Sequence, residues 1–418
     1  MPEIKPFRGI RYDFARFGGD LSAVIAPPYD VLDKKDKAAL LARSPFNIVA
    51  VDLPHIPPKE EGPQQAYLDA QFTLDGWIND GVLVTEDAPA LYVYHQTFEH
   101  EGKQLTRRQF IAAVRLHPFE EGVVLPHEKT FGGPKADRLA LMKETGCNMS
   151  PVFGLFTDPQ AEVAKAFASV TSRKPDATST LEQVRNDLWV SKDAAIASKV
   201  AALLRGKHVY IADGHHRYTT ALNYRDHLAG MQGGKLPDDH PANYVMVVLA
   251  SMDDPGCVIH GYCRVLVGEG LTADALVAAW KDGTTTSKPS DADLDLYDGK
   301  SKKHTHLRFT NRAALDKVAP EHDASWRKLD VAYLHRYLLD ELATKAFPHP
   351  PDVRYEKSTA AACALAEQTG GVALIPKAVP MAQLRAVSEA GELMPQKSTF
   401  FYPKLATGLT IYRLTTDL

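Results

Sequence analysis

The sequence reads as an α/β to α+β protein of more than one domain, and three features carry that reading. Short apolar runs alternate with helix-like segments along the chain, as packed layers of sheet and helix require. Leu91 to Phe98 and Arg107 to Arg115 alternate in polarity around a charged, Gly-containing turn at Glu99 to Lys103, a hairpin signature. A length of 418 residues, 44% of them hydrophobic, exceeds what one ordinary core organises and suits two or three domains.

Taken in order, Ser22 to Ile25 leads into Pro27-Pro28-Tyr29-Asp30, where two prolines impose an extended turn. Asp33 is a candidate cap for a helix to Arg43. The apolar run Ile48 to Leu53 is expected as a strand, and Gln64 to Asp80 as a helix with Tyr67, Phe72 and Trp77 available for packing. After the hairpin come a helix over Lys135 to Lys143, a strand over Pro151 to Phe156 and a helix over Gln160 to Ser169. A strand-rich stretch then precedes a helix from Asp193 to Leu204. Lys207 to Ala212 is a short apolar strand, Arg217 to Leu228 a helix, and Tyr244 to Ser251 a buried strand. Lys281 to Lys303 is polar and is expected as an exposed insertion or linker. Helices at Val331 to Ala343 and Ala360 to Gln368, and strands near Phe400 and Thr410, close the chain.

Composition removes several function classes. Forty-eight basic against 52 acidic residues leave a net charge of −4, which argues against a nucleic-acid partner. The opening seventeen residues lack the apolar core of a signal peptide, and no apolar run is long enough to cross a bilayer, so no membrane partner is expected. Cys147, Cys257, Cys263 and Cys363 form no CxxC pair. These features suit a soluble protein of the reducing cytoplasm.

The most informative stretch is Tyr210-Ile-Ala-Asp-Gly-His-His-Arg-Tyr. An apolar strand runs into Asp213-Gly214 and a helix follows at once, so backbone N–H groups of the first helical turn offer a phosphate site. His215, His216 and Arg217 add donors there, and an arginine can grip a phosphate with two parallel bonds. Asp213 is placed to hold magnesium or to accept a proton. The plainer reading makes Asp213 a helix cap with Arg217 as its ion-pair partner.

Four further groups are candidates. Pro126 to Arg138 gathers His127, Glu128, Lys129, Lys135 and Arg138 around two glycines; the cations suit a transferring phosphate, and Glu128 or His127 a general base. Asn148 and Ser150 suit substrate binding. Lys397, in Gln396-Lys-Ser-Thr399, is a further phosphate partner. Tyr92, Tyr94 and Phe98 are expected in packing rather than in base stacking. No Walker-type Gly-x4-Gly-Lys-Ser/Thr loop is present.

The Asp-Gly-His-His-Arg turn resembles the phosphate-binding turn of the ParB/sulfiredoxin superfamily, which includes free-serine kinases. The resemblance implies a phosphate-binding core of that fold, with nucleotide phosphates cradled by Gly214, His215, His216 and Arg217. A second resemblance spans nearly the whole chain. Ala26-Pro-Pro-Tyr-Asp-Val31, His127-Glu-Lys-Thr130, Asp137-Arg-Leu139, Asn148-Met-Ser-Pro-Val-Phe153, Asp213 to Arg217 and Met394-Pro-Gln-Lys-Ser-Thr399 look like the DUF1015 family. That pattern leads one to expect a histidine where this chain has Cys263, next to Arg264.

The expected organisation is a core over residues 1–265, carrying a hairpin-containing insertion at about 85–205, and a C-terminal α+β domain over 266–418. The expected activity is phosphotransfer to or from a small hydroxylated metabolite. Free serine or O-phosphoserine is the substrate class the resemblance suggests, with ATP or ADP and magnesium as cofactors. A nucleotide-binding switch without rapid chemistry is the alternative, and Glu128 discriminates the two. For chemistry, His127, Glu128 or Lys129 should come within about 10 Å of the Asp213 turn, within joint reach of one phosphate.

Overall fold

Tyr244–Ser251, which carries the apolar run Tyr244 to Ala250, is a central strand of a nine-stranded mixed sheet. The computed structural model describes residues 1–130 and 132–416. The strands of this sheet are β1 (Ile4–Lys5), β2 (Leu91–His100), β3 (Lys103–Arg115), β4 (Val124–Leu125), β5 (Val152–Phe156), β6 (Ala177–Leu181), β7 (Val184–Ser191), β8 (Val209–Asp213) and β9 (Tyr244–Ser251). Their order is β4-β8-β5-β9-β3-β2-β7-β6, with β1 paired to β3. β9 runs parallel to β5 and antiparallel to β3, so it is flanked on both edges and reads as a continuous apolar run rather than an alternating one. The β2–β3 hairpin turns at Glu101-Gly102, both at positive φ (50° and 72°), the left-handed pair whose twist matches two-residue hairpins. β2 and β3 lie in the middle of the sheet, so the segment expected as an insertion is part of its core.

The helices around it are α1 (Lys34–Arg43), α2 (Val49–Asp52), α3 (Gln64–Asn79), α4 (Gly132–Thr145), α5 (Glu162–Ala166), α6 (Ala168–Thr171), α7 (Ala194–Leu204) and α8 (His215–Met231). α1 starts at Asp33, whose carboxylate accepts from the N–H groups of Lys35 and Asp36. One sheet face buries Val93, Phe110, Val247 and Leu249 against Phe167, Val200 and Leu204 from α6 and its neighbours. Tyr92, Tyr94 and Phe98 are buried in the packing, as expected.

These elements form one unit of the chain, Met1–Pro126, Thr130–Cys257 and Pro403–Leu418; His127–Lys129 and Val258–Tyr402 form the other. The second unit holds a six-stranded antiparallel sheet: β10 (Cys263–Val267), β11 (Thr284–Thr286), β12 (Leu294–Asp298), β13 (Lys303–Phe309), β14 (Asp352–Glu356) and β15 (Val372–Pro376), in the order β11-β13-β12-β15-β10-β14. The helix Thr359–Thr369 packs Ala362 and Ala366 on Cys263, Val265 and Ala373. Among the described residues, no helix is long and apolar enough to cross a membrane.

Three sequence expectations are corrected here. Ile48 to Leu53 is not a strand. Asn47 accepts the Val49 N–H on its side-chain oxygen, starting α2, while its amide donates to the carbonyls of Ala23 and Ile25. Lys281 to Lys303 is not an exposed insertion. Leu294 and Leu296 are fully buried in β12, alternating with acidic residues that face away from them. Pro403 onward, placed by sequence with the C-terminal domain, belongs to the first unit. Ile411 pairs with Ile10, Thr407 with Ala26, and Tyr412-Arg413 with Cys147-Asn148.

Candidate functional site

Within the first unit, β8 ends at Asp213, and Gly214 takes the left-handed conformation (φ 88°) from which α8 starts. The missing side chain matters for more than φ. A Cβ on Gly214 would sit 2.9 Å from Arg217 Nε and 3.0 Å from its Cζ, so the glycine makes room for the guanidinium. Asp213 accepts from Lys404 Nζ at 2.6 Å on one oxygen and from Arg217 Nη2 at 3.3 Å on the other. Burial raises the carboxyl's pKa, but Lys404 and Arg217 outweigh it and hold the group well below the ordinary carboxylate range. His215 is buried and close enough to add to that field, and His216 is half-buried.

Arg217 is buried. It is 5% exposed, and its guanidinium donates to the Pro151 carbonyl as well as to Asp213. The expectation that it grips phosphate is therefore corrected: it is a positioning residue. The ion-pair half of the plainer reading holds, whereas Asp213 is not the helix cap, a place Gly214 takes. Lys404 is the residue the sequence reading missed. It lies 191 positions from Asp213, and nothing local marks it. Two buried contacts fix its segment: the Lys404 carbonyl accepts from Gln96 Nε2 at 2.9 Å, and the Pro403 carbonyl from Arg107 at 2.7 Å.

Magnesium does not fit Asp213 as the side chains stand. Both carboxylate oxygens already face cationic side chains, and a divalent ion would meet two like charges. Among the described residues, no group of three His, Cys, Asp or Glu side chains is arranged to hold a metal ion.

Arg138, Asn148 and Ser150 come together beside this turn, but as internal structure. Arg138, 6% exposed, donates from Nε to Asp137 at 2.8 Å and from Nη1 to the Asp52 carbonyl at 2.5 Å, and stacks 3.8 Å from the Tyr29 ring centre. Asp137 also accepts from Tyr67 and faces His55 Nε2, both at 2.9 Å. Ser150 donates to Asp52 at 2.7 Å. Asn148 accepts from the Met246 N–H at 2.8 Å and donates to the Ser150 carbonyl at 3.2 Å. Burial pushes the Asp52 carboxyl up, partly offset by Arg138. A cavity of about 20 Å³ remains among Asp52, Arg138, Ser150 and Arg217, room for about one water. Arg138, expected at a phosphate, and Asn148 and Ser150, expected at a substrate, are spent on internal partners. Cys147, buried next to them, has its thiol pushed up to about 12, which removes it as a nucleophile.

The second unit gathers the remaining candidates. His127 is buried with Nε2 at 2.9 Å from Thr399 Oγ1, and its carbonyl accepts from the Met394 N–H at 2.8 Å. Glu128 is half-buried and accepts from the Lys397 N–H at 3.4 Å. Lys397 is at positive φ (58°), with Nζ 5.2 Å from the Tyr262 ring centre. Arg264, fully buried in β10, donates to the Lys397 carbonyl at 2.9 Å and to His335 Nε2 at 3.1 Å. Two motifs distant in sequence, His127-Glu128 and Met394 to Thr399, thus meet. Lys129 is exposed, whereas Lys135 lies half-buried on α4 in the first unit. Cys263, where a histidine was expected, is buried in the second sheet's core.

Chemically, the first unit thus offers a strand–glycine–helix turn with an ionised carboxylate, a lysine and two histidines. The second offers a carboxylate and a lysine from two segments distant in sequence that meet. Fold and site together define an α/β protein with a strand–glycine–helix turn at a sheet end. The chain belongs to the family described as proteins of unknown function (DUF1015), whose profile matches residues 4–332. No curated protein matches it. Among solved structures, SbnI with a C-terminal truncation from Staphylococcus aureus is 13% identical, with a TM-score of 0.38 over 74% of this chain and 90% of that one. A free serine kinase in complex with AMP is 11% identical, with a TM-score of 0.34 over 73% and 91%. A conserved hypothetical protein from Pyrococcus furiosus is 12% identical, with a TM-score of 0.33 over 72% and 94%. At that level the likeness bears on neither activity nor ligand.

Proposed function

We propose that the chain is a phosphotransfer enzyme acting on a small hydroxylated metabolite, with ATP or ADP as the nucleotide and free serine or O-phosphoserine as the substrate class. The observation that carries this reading is the Asp213 turn. A strand ends, a left-handed glycine follows, and a seventeen-residue helix begins under His215 and His216, beside Lys404. The first-turn N–H groups and the helix dipole favour an anion there. The reading keeps a ParB/sulfiredoxin-like phosphate-binding core, on the motif resemblance. Gly214, His215 and His216 receive phosphate, and Lys404 joins them in place of Arg217. Glu128 takes the hydroxyl proton, with Lys397, Lys129 and Lys135 as further phosphate partners. Magnesium, in this reading, arrives on the nucleotide phosphates and not on Asp213.

Calorimetry with ADP, ATP, serine and O-phosphoserine in the presence of magnesium tests it, followed by turnover with whichever pair binds. Glu128→Gln keeps size and removes basicity, so binding should survive while turnover falls about a hundredfold or more. His216→Ala should weaken nucleotide binding about tenfold, as loss of one charge-assisted contact does. Nucleotide binding that His216→Ala weakens, with no turnover on any hydroxyl acceptor, would leave the switch reading in its place.

A further inference from the structure

Arg264 stands in β10 between Cys263 and Val265, which face the helix Thr359–Thr369, so strand alternation turns it to the opposite face of the second unit's sheet. It is fully buried there. Its partners in register are Tyr355 on β14 and Leu374 on β15, and its guanidinium carbon lies 5.4 Å from the Tyr355 ring centre. Among the described residues no carboxylate pairs with it. Burial pushes the guanidinium down to about 10, which leaves it charged at neutral pH. A buried charge without a counter-charge is costly, so its hydrogen bonds carry the reason for its place.

Every acceptor it has is neutral. Nε donates to His335 Nε2 at 3.1 Å, Nη1 to the Tyr262 carbonyl, and Nη2 to the Lys397 carbonyl at 2.9 Å. His335 comes from Tyr333–Ala343, which is wound as a π-helix, a rare form that recurs at functional sites. That winding is written into the sequence. Tyr333, Leu338 and Ala343 are buried at intervals of five, as are Leu334 and Leu339, which suits i→i+5 bonding and not a 3.6-residue turn.

The Lys397 end is the one that needs holding. Lys397 is at φ 58°, a conformation that costs a non-glycine residue energy and persists only where its surroundings impose it. His127 grips this loop at both ends: its carbonyl accepts the Met394 N–H at 2.8 Å, and its Nε2 lies 2.9 Å from Thr399 Oγ1. Arg264 grips the middle. With Lys397 kept in that conformation, fixing its carbonyl fixes the direction of its N–H, and that N–H meets Glu128 Oε1 at 3.4 Å.

We propose that Arg264, with His335 behind it, is the positioning residue of the Lys397 loop: it holds Lys397 in the left-handed conformation and thereby sets the Glu128 carboxylate for proton transfer. The catalytic part rests on the reading of Glu128 as the base, whereas the clamp on the loop stands without it.

Arg264→Lys keeps the charge but cannot reach His335 and both carbonyls together. In the full chain, amide hydrogen exchange over 394–399 should rise about tenfold or more, while β12 and β15 keep their protection. With ATP and free serine, kcat should fall about tenfold, and KM should change less than about threefold. Added to Glu128→Gln, the same substitution should lower kcat by no more than about threefold, because a residue acting through Glu128 has nothing left to position; a purely structural role lowers both backgrounds alike. Arg264→Gln, which keeps a neutral donor, takes its place if the lysine variant lowers the melting temperature. Unchanged exchange over 394–399, or an equal fall in kcat in both backgrounds, would overturn the assignment. A parent without turnover removes the phosphotransfer reading by itself, and exchange alone then decides whether Arg264 holds the loop.

Discussion

Gly214 and Lys404 are the two residues on which the Asp213 turn depends, and each gives a direct prediction. Gly214→Ala places a side chain at φ 88° and drives its Cβ into the Arg217 guanidinium. A residue forced into that region costs about 1–3 kcal/mol, so chemical denaturation should show a loss of that size. Lys404→Ala removes the stronger partner of a carboxylate that is 23% exposed, and should cost about 1.5–3 kcal/mol at pH 7. The sign with pH follows from Asp213 being held below its ordinary value. Its contribution is complete above about pH 4, the unfolded value, and is lost as pH falls through the lower folded value. The stability gap between parent and variant should therefore narrow below pH 4; an equal gap at pH 7 and in acid would refute the pairing.

At the level of elements, the sequence revealed what local chemistry decides and missed what distant residues decide. β8, Gly214 and α8 were legible because strand, glycine and helix follow within a few residues. Asp33 was readable as a cap and accepts from the N–H groups it precedes; Asp193 caps its helix in the same way. Ile48 to Leu53 was misread because its apolar run says nothing of Asn47, whose amide bonds to a segment more than twenty positions earlier. Asp291 to Asp298 was misread for the opposite reason. Its alternation was present, but the density of acids outweighed two leucines. Arg138 was assigned to ligand because the Asp52 carbonyl it donates to lies far away in sequence, and Arg217 because, besides Asp213, it donates to a Pro151 carbonyl that sequence does not locate. In the second unit, Arg264 donates to His335 Nε2, which must be unprotonated to accept. Burial, and next the nearby Arg264, push His335 down to about 3. The unfolded chain therefore takes up a proton near pH 6.5 that the folded one refuses, and stability falls from about pH 6.5 towards pH 3. His335→Gln keeps an acceptor and does not titrate, so its melting temperature should fall less between pH 7 and pH 4 than the parent's does.

On the scale of the whole molecule, the chain leaves the first unit at Cys257 and returns to it at Pro403. The returning segment supplies Lys404 to Asp213, Ala406 N–H to Tyr94, and the pairings of Ile411 with Ile10 and Tyr412 with Asn148. Truncation after Tyr402 should remove the cooperative unfolding transition of the first unit and leave that of the second, which differential scanning calorimetry can resolve. Two intact transitions in the truncated chain would contradict the division.

The same return has a consequence in time. During synthesis, every residue of the second unit leaves the ribosome before Pro403 does, so that unit can complete its sheet while the first still lacks its last partners. Until translation reaches Lys404, Asp213 lacks its lysine partner, and the turn is unfinished. A ribosome that stalls late, or a protease that clips the tail of a nascent chain, therefore yields a polypeptide in which only the second unit is folded and the proposed chemistry is absent.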